Sequence, residues 1–332
     1  PIWRYELDGH VLEKRVNLPH LQNTVHVLYR LVSGSGPVRL RVRPSVHFRP
    51  HEDPVASDVP HPYHVSALPH GYELRGHPDL PVLRLKVLGE RAALVHDGGR
   101  TQPVFYRIEK ARGYPSIGVL WSPGYFRMDL TRESDAALLG STEDWDTLQA
   151  LAPRDALRYE RERRRGFVAR ANPCARAGMA KDLVIAADAF VISPRSRTAD
   201  RARASAAGAA DARTIIAGYH WFTDWGRDTM ISLEGLTLAT GRAREAGWIL
   251  RTFANHVKDG LIPNFFREGD VEGLYHTADA TLWYFHALSR YLAVTGDRTL
   301  LRDLLPLLLD IVEHHVQGTR FGIGVDPADG LL

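Results

Sequence analysis

The feature that most limits how this chain can fold is a repeated pair of helices in its last third. Each copy has an Asp at the start of a helix, then a Thr-Gly turn and a second helix, and the copies recur roughly every fifty residues. The first copy starts at Asp228 and turns at Gly241, and the second starts at Asp279 and turns at Gly296. Short turns lie at one end of such hairpins and long connections at the other. A binding site is therefore expected at the long-loop end.

Aromatic, acidic and basic side chains are crowded into the segment that leads into the first of these helices. They are Tyr219, Trp221, Phe222, Asp224, Trp225, Arg227 and Asp228. Flat apolar rings suit the faces of pyranose sugars, and Asp or Arg side chains suit their hydroxyl groups. The segment therefore predicts a sugar site. The alternative is a buried Trp cluster with an Asp that caps the helix.

The two aspartates that begin the repeated helices admit the same two interpretations. The free N–H groups and the dipole of a helix N-terminus stabilise a carboxylate by about 0.3–1 kcal/mol, so both residues could serve only as caps. Asp228, however, follows Trp225 and Arg227, and Asp279 follows His276. Capping does not require aromatic and basic neighbours, so these neighbours favour contact with a ligand.

The N-terminal part of the chain has the pattern of an antiparallel sandwich. Apolar and polar residues alternate in the segments 25–32, 37–48 and 80–88, and turns rich in Gly and Pro separate them. A further aromatic-rich strand is expected at 119–130. We assign residues 1–132 to this β-sandwich domain, with an incomplete N-terminus.

The pattern changes after this region. From Ser134 the sequence predicts helices, and the segment 181–192 predicts an apolar helix or a buried strand. The segment 193–216 is rich in Ala, Arg and Ser and is expected to be an exposed loop. Residues 133–212 are thus predicted as a helical linker and the start of the second domain, and residues 213–332 as the first helical hairpins of that domain, with an incomplete C-terminus.

Composition excludes several classes of function. The net charge is only +3, and the basic run at 158–170 is interleaved with Glu, which is typical of a solvated helix rather than a nucleic-acid surface. No apolar run is long enough to span a membrane, and the N-terminus does not resemble a signal peptide. The single cysteine, Cys174, fits a reducing compartment and leaves no thiolate metal cluster, and His314 and His315 lack metal-ligand spacing. We expect a cytoplasmic protein with no cofactor, metal, membrane or nucleic-acid partner.

Three motifs resemble the bacterial and archaeal glycogen debranching enzyme family, the amylo-α-1,6-glucosidases. They are WFTDWGRDTMISLEGL at 221–236, GLIPNFF at 260–266 and YHTADATLWYF at 275–285. The N-terminal run at 3–31 resembles the β-rich domain of that family. The resemblance implies a β-sandwich followed by part of an (α/α)6 six-hairpin glycosidase barrel. It also implies an α-glucan substrate, glycogen or limit dextrin, whose α-1,6-linked glucose is removed with inversion.

The resemblance also implies roles for individual residues. Arg227 and Asp228 would grip the non-reducing glucose, Trp221 and Trp225 would wall the subsite, and Asp279 would lie close by. Asp224 and His276 complete the predicted substrate-binding set.

Neither predicted aspartate is assigned to proton transfer. An Asp beside Arg227 is expected to stay ionised, which suits hydroxyl binding rather than proton donation. The loop that precedes Asp279 recurs at 330–332, so the next helix start, with the general acid, is expected just past Leu332, and the base further on. On this interpretation the chain is truncated at both ends and has little hydrolytic activity by itself.

Two alternatives stay open. The first is another six-hairpin enzyme of the glucoamylase-like, trehalase-like or glycoside phosphorylase type. The second is a fragment that binds glucan without catalysis.

Overall fold

The computed structural model describes residues 1–50, 53–58, 62–194, 197–209, 212–219, 222–266 and 272–332. Within these ranges the chain forms two compact units, residues 1–162 and residues 163–332. The first unit is mostly strand and the second mostly helix. The predicted combination of a β-rich N-terminal part with a helical C-terminal part is therefore confirmed.

The strands of the first unit form two sheets. They are β1 (Ile2–Leu7), β2 (His10–Asn17), β3 (Thr24–Ser33), β4 (Val38–Val42), β5 (His64–Leu68), β6 (Gly71–Arg75), β7 (Leu83–Leu88), β8 (Glu90–Phe105), β9 (Ile117–Leu130) and β10 (Ala136–Ser141). The wider sheet has the order β1-β2-β3-β10-β7-β6-β5, and the narrower sheet has the order β4-β9-β8. Every pairing described within them is antiparallel.

Apolar side chains from both sheets form one hydrophobic cluster. It includes Leu31 of β3, Leu74 of β6 and Phe126 of β9, each no more than 2% exposed. Removing apolar surface of this kind from water contributes about 25 cal/mol for each Å². The alternating segment at 25–32 and the aromatic-rich segment at 119–130 are thus confirmed as strands with buried side chains.

One sequence prediction in this unit is wrong. Residues after Ser134 were expected to be helical, but Ala136–Ser141 is strand β10, which lies between β3 and β7 in the wider sheet. Its run of Ala and Leu has a high intrinsic helix propensity. Pairing on both sides and burial of four of its six side chains in succession override that preference.

The helices begin near the end of β8. They are α1 (Arg107–Ala111), α2 (Trp145–Gln149), α3 (Pro153–Arg170), α4 (Gly178–Ala187), α5 (Thr198–Ala206), α6 (Gly226–Leu233), α7 (Ala243–Ala254), α8 (Asp279–Thr295) and α9 (Arg298–Gln317). Four two-residue strands accompany them in the second unit, β11 (Val191–Ile192), β12 (Thr214–Ile215), β13 (Phe265–Phe266) and β14 (Gly273–Leu274). In the described part of the chain, none of the helices has the length and apolar character that membrane crossing needs.

The segment 193–216 is a second correction. It was expected to be an exposed loop, but residues Thr198–Ala206 form helix α5, in which Asp200 and Ala204 are buried. Residues 195–196 and 210–211 of this segment lie outside the described residues. The sequence pattern does not predict this helix, because its buried face is made of Ala and Asp instead of large apolar residues.

The two predicted helical hairpins are confirmed. Helix α6 leads through a turn at Gly241 into α7, and α8 leads through a turn at Gly296 into α9. Both turn glycines have positive φ angles, +77° and +67°, a conformation that other residues adopt at a cost. The four helices bury a shared hydrophobic cluster that includes Leu233, Phe253 and Tyr284.

Helix α6 does not continue to its turn as a regular α-helix. Residues Glu234–Leu238 form a π-helical segment, in which the Thr237 hydroxyl donates to the Leu233 carbonyl oxygen. A π-helical segment accommodates one extra residue within a helix, and such segments are frequent at functional sites.

Candidate functional site

The first residues of α6 and α8 are tied together by the long connection that separates the two hairpins. The Gly226 N–H donates to the Asn264 carbonyl oxygen at 2.8 Å. A Cβ atom on Gly226 would lie only 2.2 Å from the Pro263 carbonyl oxygen, so the approach requires glycine. The Ile262 N–H donates to the Thr281 hydroxyl, in the first turn of α8, at 2.9 Å. The predicted long-loop end is therefore a single, well-connected region.

Arg227 and Asp279 form an ion pair across these two helix starts. Arg227 Nη1 donates to Asp279 Oδ2 at 2.8 Å, and their side chains are 40% and 41% exposed. The hydrogen bond and charge of Asp279 hold the pKa of Arg227 above its usual value. The sequence grouped Arg227 with its neighbour Asp228, whereas the structure gives its guanidinium a carboxylate from the next hairpin.

Asp228 lies beside this ion pair and is free to bind something else. It occupies the first turn of α6 and is partly exposed. Within the described ranges its carboxylate accepts no hydrogen bond, although its charge also raises the pKa of Arg227. The N-cap positions of α6 and α8 belong to Trp225 and Ala278, and neither helix has a side-chain capping bond. Capping therefore does not account for Asp228 or Asp279.

Four polar atoms in this region are buried and have no hydrogen-bond partner within the described residues. They are Trp225 Nε1, Asn264 Oδ1, Thr277 Oγ1 and Asp279 Oδ1. Buried polar groups in proteins are nearly always bonded, so each unbonded one calls for a partner. One donor, two acceptors and a hydroxyl are thus left for partners such as ordered water or a ligand.

Aromatic rings lie on one side of the site. Trp225 packs at 5.9 Å against Phe222, edge to face, and at 5.2 Å against Phe265. His276 is exposed at the start of the segment leading into α8. Trp221, the other predicted wall residue, lies outside the described residues, so its place in the site stays a prediction.

Asp224 occupies a buried position behind the site. Its side chain is 9% exposed, and its Oδ2 atom accepts from Arg197 Nη2 at 2.5 Å and from Thr214 Oγ1 at 2.8 Å. A carboxylate held in this way fixes the chain just before Trp225. Direct contact between Asp224 and a ligand stays a prediction.

Sequence reasoning missed the residues that support Asp224. Arg197 is 2% exposed, stacks on the Phe266 ring at 4.2 Å and lies 3.5 Å from Asp200 through its Nε atom. His256 in turn bonds both carboxylate oxygens of Asp200, at 2.8 and 2.9 Å. Burial raises the pKa of Asp200, but His256 and the neighbouring arginines outweigh it, so the pKa lies below its usual value. No local pattern reveals this network, because its members come from separate segments of the chain.

Among the residues that the structure describes, no group of three or more His, Cys, Asp or Glu side chains is placed to hold a metal ion.

Comparisons with known proteins cover both units. Residues 1–137 match the family model "Glycogen debranching enzyme N terminal", and residues 185–332 match the model "Amylo-alpha-1,6-glucosidase". Every residue predicted for the site falls within the second match.

Individual proteins are similar over smaller shares of their length. The glycogen debranching enzyme of Saccharomyces cerevisiae is 40% identical over 73 residues, which make up 22% of this chain and 5% of the yeast protein. A bacterial glucoamylase complexed with acarbose has 12% sequence identity and a TM-score of 0.43, over 93% of this chain and 46% of that chain. The chain thus spans less than half of either relative. The two family models, one after the other along the sequence, show that this chain belongs to the glycogen debranching enzyme family.

Proposed function

We propose that this chain carries the sugar-binding part of a glycoside hydrolase that removes α-1,6-linked glucose from glycogen branch points. Membership of the glycogen debranching enzyme family supports an α-glucan as the substrate. The observation that carries the proposal is the Arg227–Asp279 ion pair, beside which the carboxylate of Asp228 accepts no hydrogen bond from any described residue.

The chemistry of these groups suits a terminal glucose. The guanidinium donates hydrogen bonds in a fixed planar fork, and the carboxylates accept them from neighbouring hydroxyl groups. Bonds to charged groups contribute about 1.5–3 kcal/mol each, more than bonds between neutral groups. The Trp225 ring supplies the flat apolar surface for the sugar face. Arg227 and Asp279 already hold each other in place, so little side-chain freedom is lost when sugar binds.

We propose further that neither aspartate transfers protons. Inversion requires a carboxylic acid and a carboxylate about 6.5–9.5 Å apart, one protonating the glycosidic oxygen and the other activating water. Asp279 Oδ2 is occupied by Arg227, which leaves that oxygen unable to serve as the proton donor. Other carboxylates of the full-length enzyme would then supply the acid and the base.

Binding of isomaltose, an α-1,6-linked disaccharide of glucose, tests the sugar-binding role. Saturation-transfer NMR on this chain should detect isomaltose, and Arg227→Ala should weaken its binding. Arg290→Ala is a matched control, because Arg290 pairs with Glu234 at 2.6 Å, also joins α8 to the end of α6, and is similarly exposed at 44%. An equal loss in both variants, or none in either, would contradict the assignment.

Activity is tested on the full-length enzyme with glycogen limit dextrin. Asp228→Ala should abolish glucose release, and the first glucose released by the wild-type enzyme should be the β-anomer, as inversion requires. Retained activity in Asp228→Ala, or initial release of the α-anomer, would contradict the proposal.

A further inference from the structure

A cleft in the first unit is the strongest feature that the proposed function does not use. It has a volume of about 820 Å³, within the range of ligand sites, and residues of both sheets line it. Strand β5 is the edge of the wider sheet, β8 is the edge of the narrower one, and both contribute to the lining.

Local backbone geometry opens this cleft. The pairing of β8 with β9 shifts register between His96 and Arg100, and Gly98 and Gly99 there have φ angles of +83° and +74°. Such an irregularity bends a strand and redirects its side chains. A Cβ atom on Gly99 would lie 3.0 Å from the indole nitrogen of Trp121, so glycine lets the strand pass close to this ring.

The wall of the cleft is aromatic. Tyr63 and Trp121 stack with their ring centres 4.6 Å apart and their planes only 9° from parallel. Tyr72 adds a third ring, which packs against the buried Phe126 at 5.4 Å. Stacking covers one face of each of the first two rings, and packing from both sheets holds the aromatic cluster in place.

Several hydrogen-bond donors lie around these rings and have no acceptor among the described residues. The Tyr63 hydroxyl accepts from the Phe48 N–H, and the Tyr72 hydroxyl accepts from the Leu94 N–H, each at 3.3 Å. Each phenol is therefore anchored as an acceptor, and its O–H proton has no acceptor among the described residues.

His96 and Trp121 add two further donors. His96 Nδ1 accepts from a backbone N–H at 3.3 Å, which leaves the proton of the neutral ring on Nε2. Neither this Nε2 nor the indole N–H of Trp121 has a partner in the part of the chain that the structure describes. Flat rings with unsatisfied donors around them fit a molecule with apolar faces and hydroxyl groups at its rim.

The part of the cleft lining that the structure describes consists of neutral and histidine side chains, with no Asp, Glu, Lys or Arg. A phosphorylated ligand would find no Lys or Arg among these residues as a counter-charge. The same described lining holds no pair of carboxylates for glycoside hydrolysis, which favours binding without catalysis.

We propose that this cleft is a second, non-catalytic binding site for an uncharged oligosaccharide chain. The choice of an α-glucan as that chain rests on the proposed function. The site would hold part of a branched polymer on the first unit, independently of the site at Arg227.

A pair of substitutions on β5 tests this proposal without touching the aromatic stack. Ala67 lines the cleft, whereas its neighbour Ser66 does not, and both are exposed. In the Arg227→Ala background, Ala67→Arg should fill the cleft and weaken maltoheptaose binding at least about tenfold, a change of 1.4 kcal/mol. Ser66→Arg adds the same side chain to the same strand and should leave the affinity unchanged.

The indole N–H signals of the seven tryptophans locate the bound sugar. The Trp121 signal, assigned through Trp121→Phe, should shift when maltoheptaose is added, and it should shift equally in the Arg227→Ala variant. A shift that Arg227→Ala removes, an unshifted Trp121 signal, or equal affinity in Arg227→Ala with and without Ala67→Arg would overturn the cleft proposal.

The same titration separates the two proposals. If Arg227→Ala retains binding and Ala67→Arg eliminates the retained part, the cleft binds glucan whatever happens at the other site. If Arg227→Ala removes all binding of maltoheptaose, and of cellohexaose used as a β-linked comparison, the cleft proposal fails while the proposed function stands.

Discussion

Replacing Arg197 by Met should destabilise the second unit severely. The substitution keeps the length of the side chain but removes its charge, and it leaves Asp224 in a position where only 9% of its side chain is exposed. Breaking one side of a buried ion pair costs about 3–5 kcal/mol, because the remaining charge has lost both water and its partner. Asp200 retains His256 and Arg203, so most of the loss should come from Asp224.

The exposed Arg290–Glu234 pair provides the scale for this comparison. Its side chains are 44% and 41% exposed, against 3% and 9% for Arg197 and Asp224. Arg290→Met should therefore cost far less stability than Arg197→Met. Urea unfolding followed by circular dichroism at 222 nm reports mainly on the helical unit and measures both variants.

A double substitution tests the reasoning itself. Asp224→Asn removes the charge that Arg197→Met leaves unpaired, so the double variant should be more stable than the sum of the two single losses predicts. If the losses add, or if Arg197→Met costs as little as Arg290→Met, the buried ion pair does not hold this unit together.

Three further predictions concern neighbouring features. Gly226→Ala should weaken isomaltose binding about tenfold or more in an NMR titration, because its Cβ would collide with the Pro263 carbonyl oxygen and displace the start of α6. Gly235→Ala is the control, because no atom lies within 4 Å of a Cβ at that position. Asp297→Ala should lower the free energy of unfolding by about 1 kcal/mol, since its carboxylate caps two N–H groups of α9; urea unfolding that shows no loss would contradict this. The pKa of Asp200 lies below its ordinary value of 3.8, so its contribution to stability is present above pH 3.8 and is lost as the pH falls through the lowered value. Acid titration should show this loss in the wild type and a shallower slope in Asp200→Asn.

The sequence predicts the features whose causes are local. Alternation with period two identified the strand at 25–32, aromatic content the strand at 119–130, and the Thr-Gly turns both hairpins. The aspartates at the helix starts were recognised because they occur in corresponding places of a repeat. In each case the pattern and its physical cause lie within a few residues of each other.

The features that the sequence did not predict depend on partners far along the chain. Strand β10 has a helical composition and is a strand only because β3 and β7 flank it. Arg227 has an acidic neighbour in sequence but bonds Asp279 of the next hairpin. The contact of Arg197 with Asp224 joins a segment of loop-like composition to the site. Neither secondary-structure propensity nor residue spacing predicts these pairings and contacts.

The π-helical segment at residues 234–238 bears on how related sequences diverge. Inserting a residue into an α-helix rotates everything beyond it by about 100°, which would turn Asp228 away from Asp279 if the Gly241 end stayed fixed. A π-helical turn absorbs the extra residue locally and leaves both ends in place. Homologues that are one residue shorter between these two ends are therefore expected to have a regular α-helix here. The gap in their alignment belongs inside the helix and not in the loop, and such a deletion is compatible with an unchanged site.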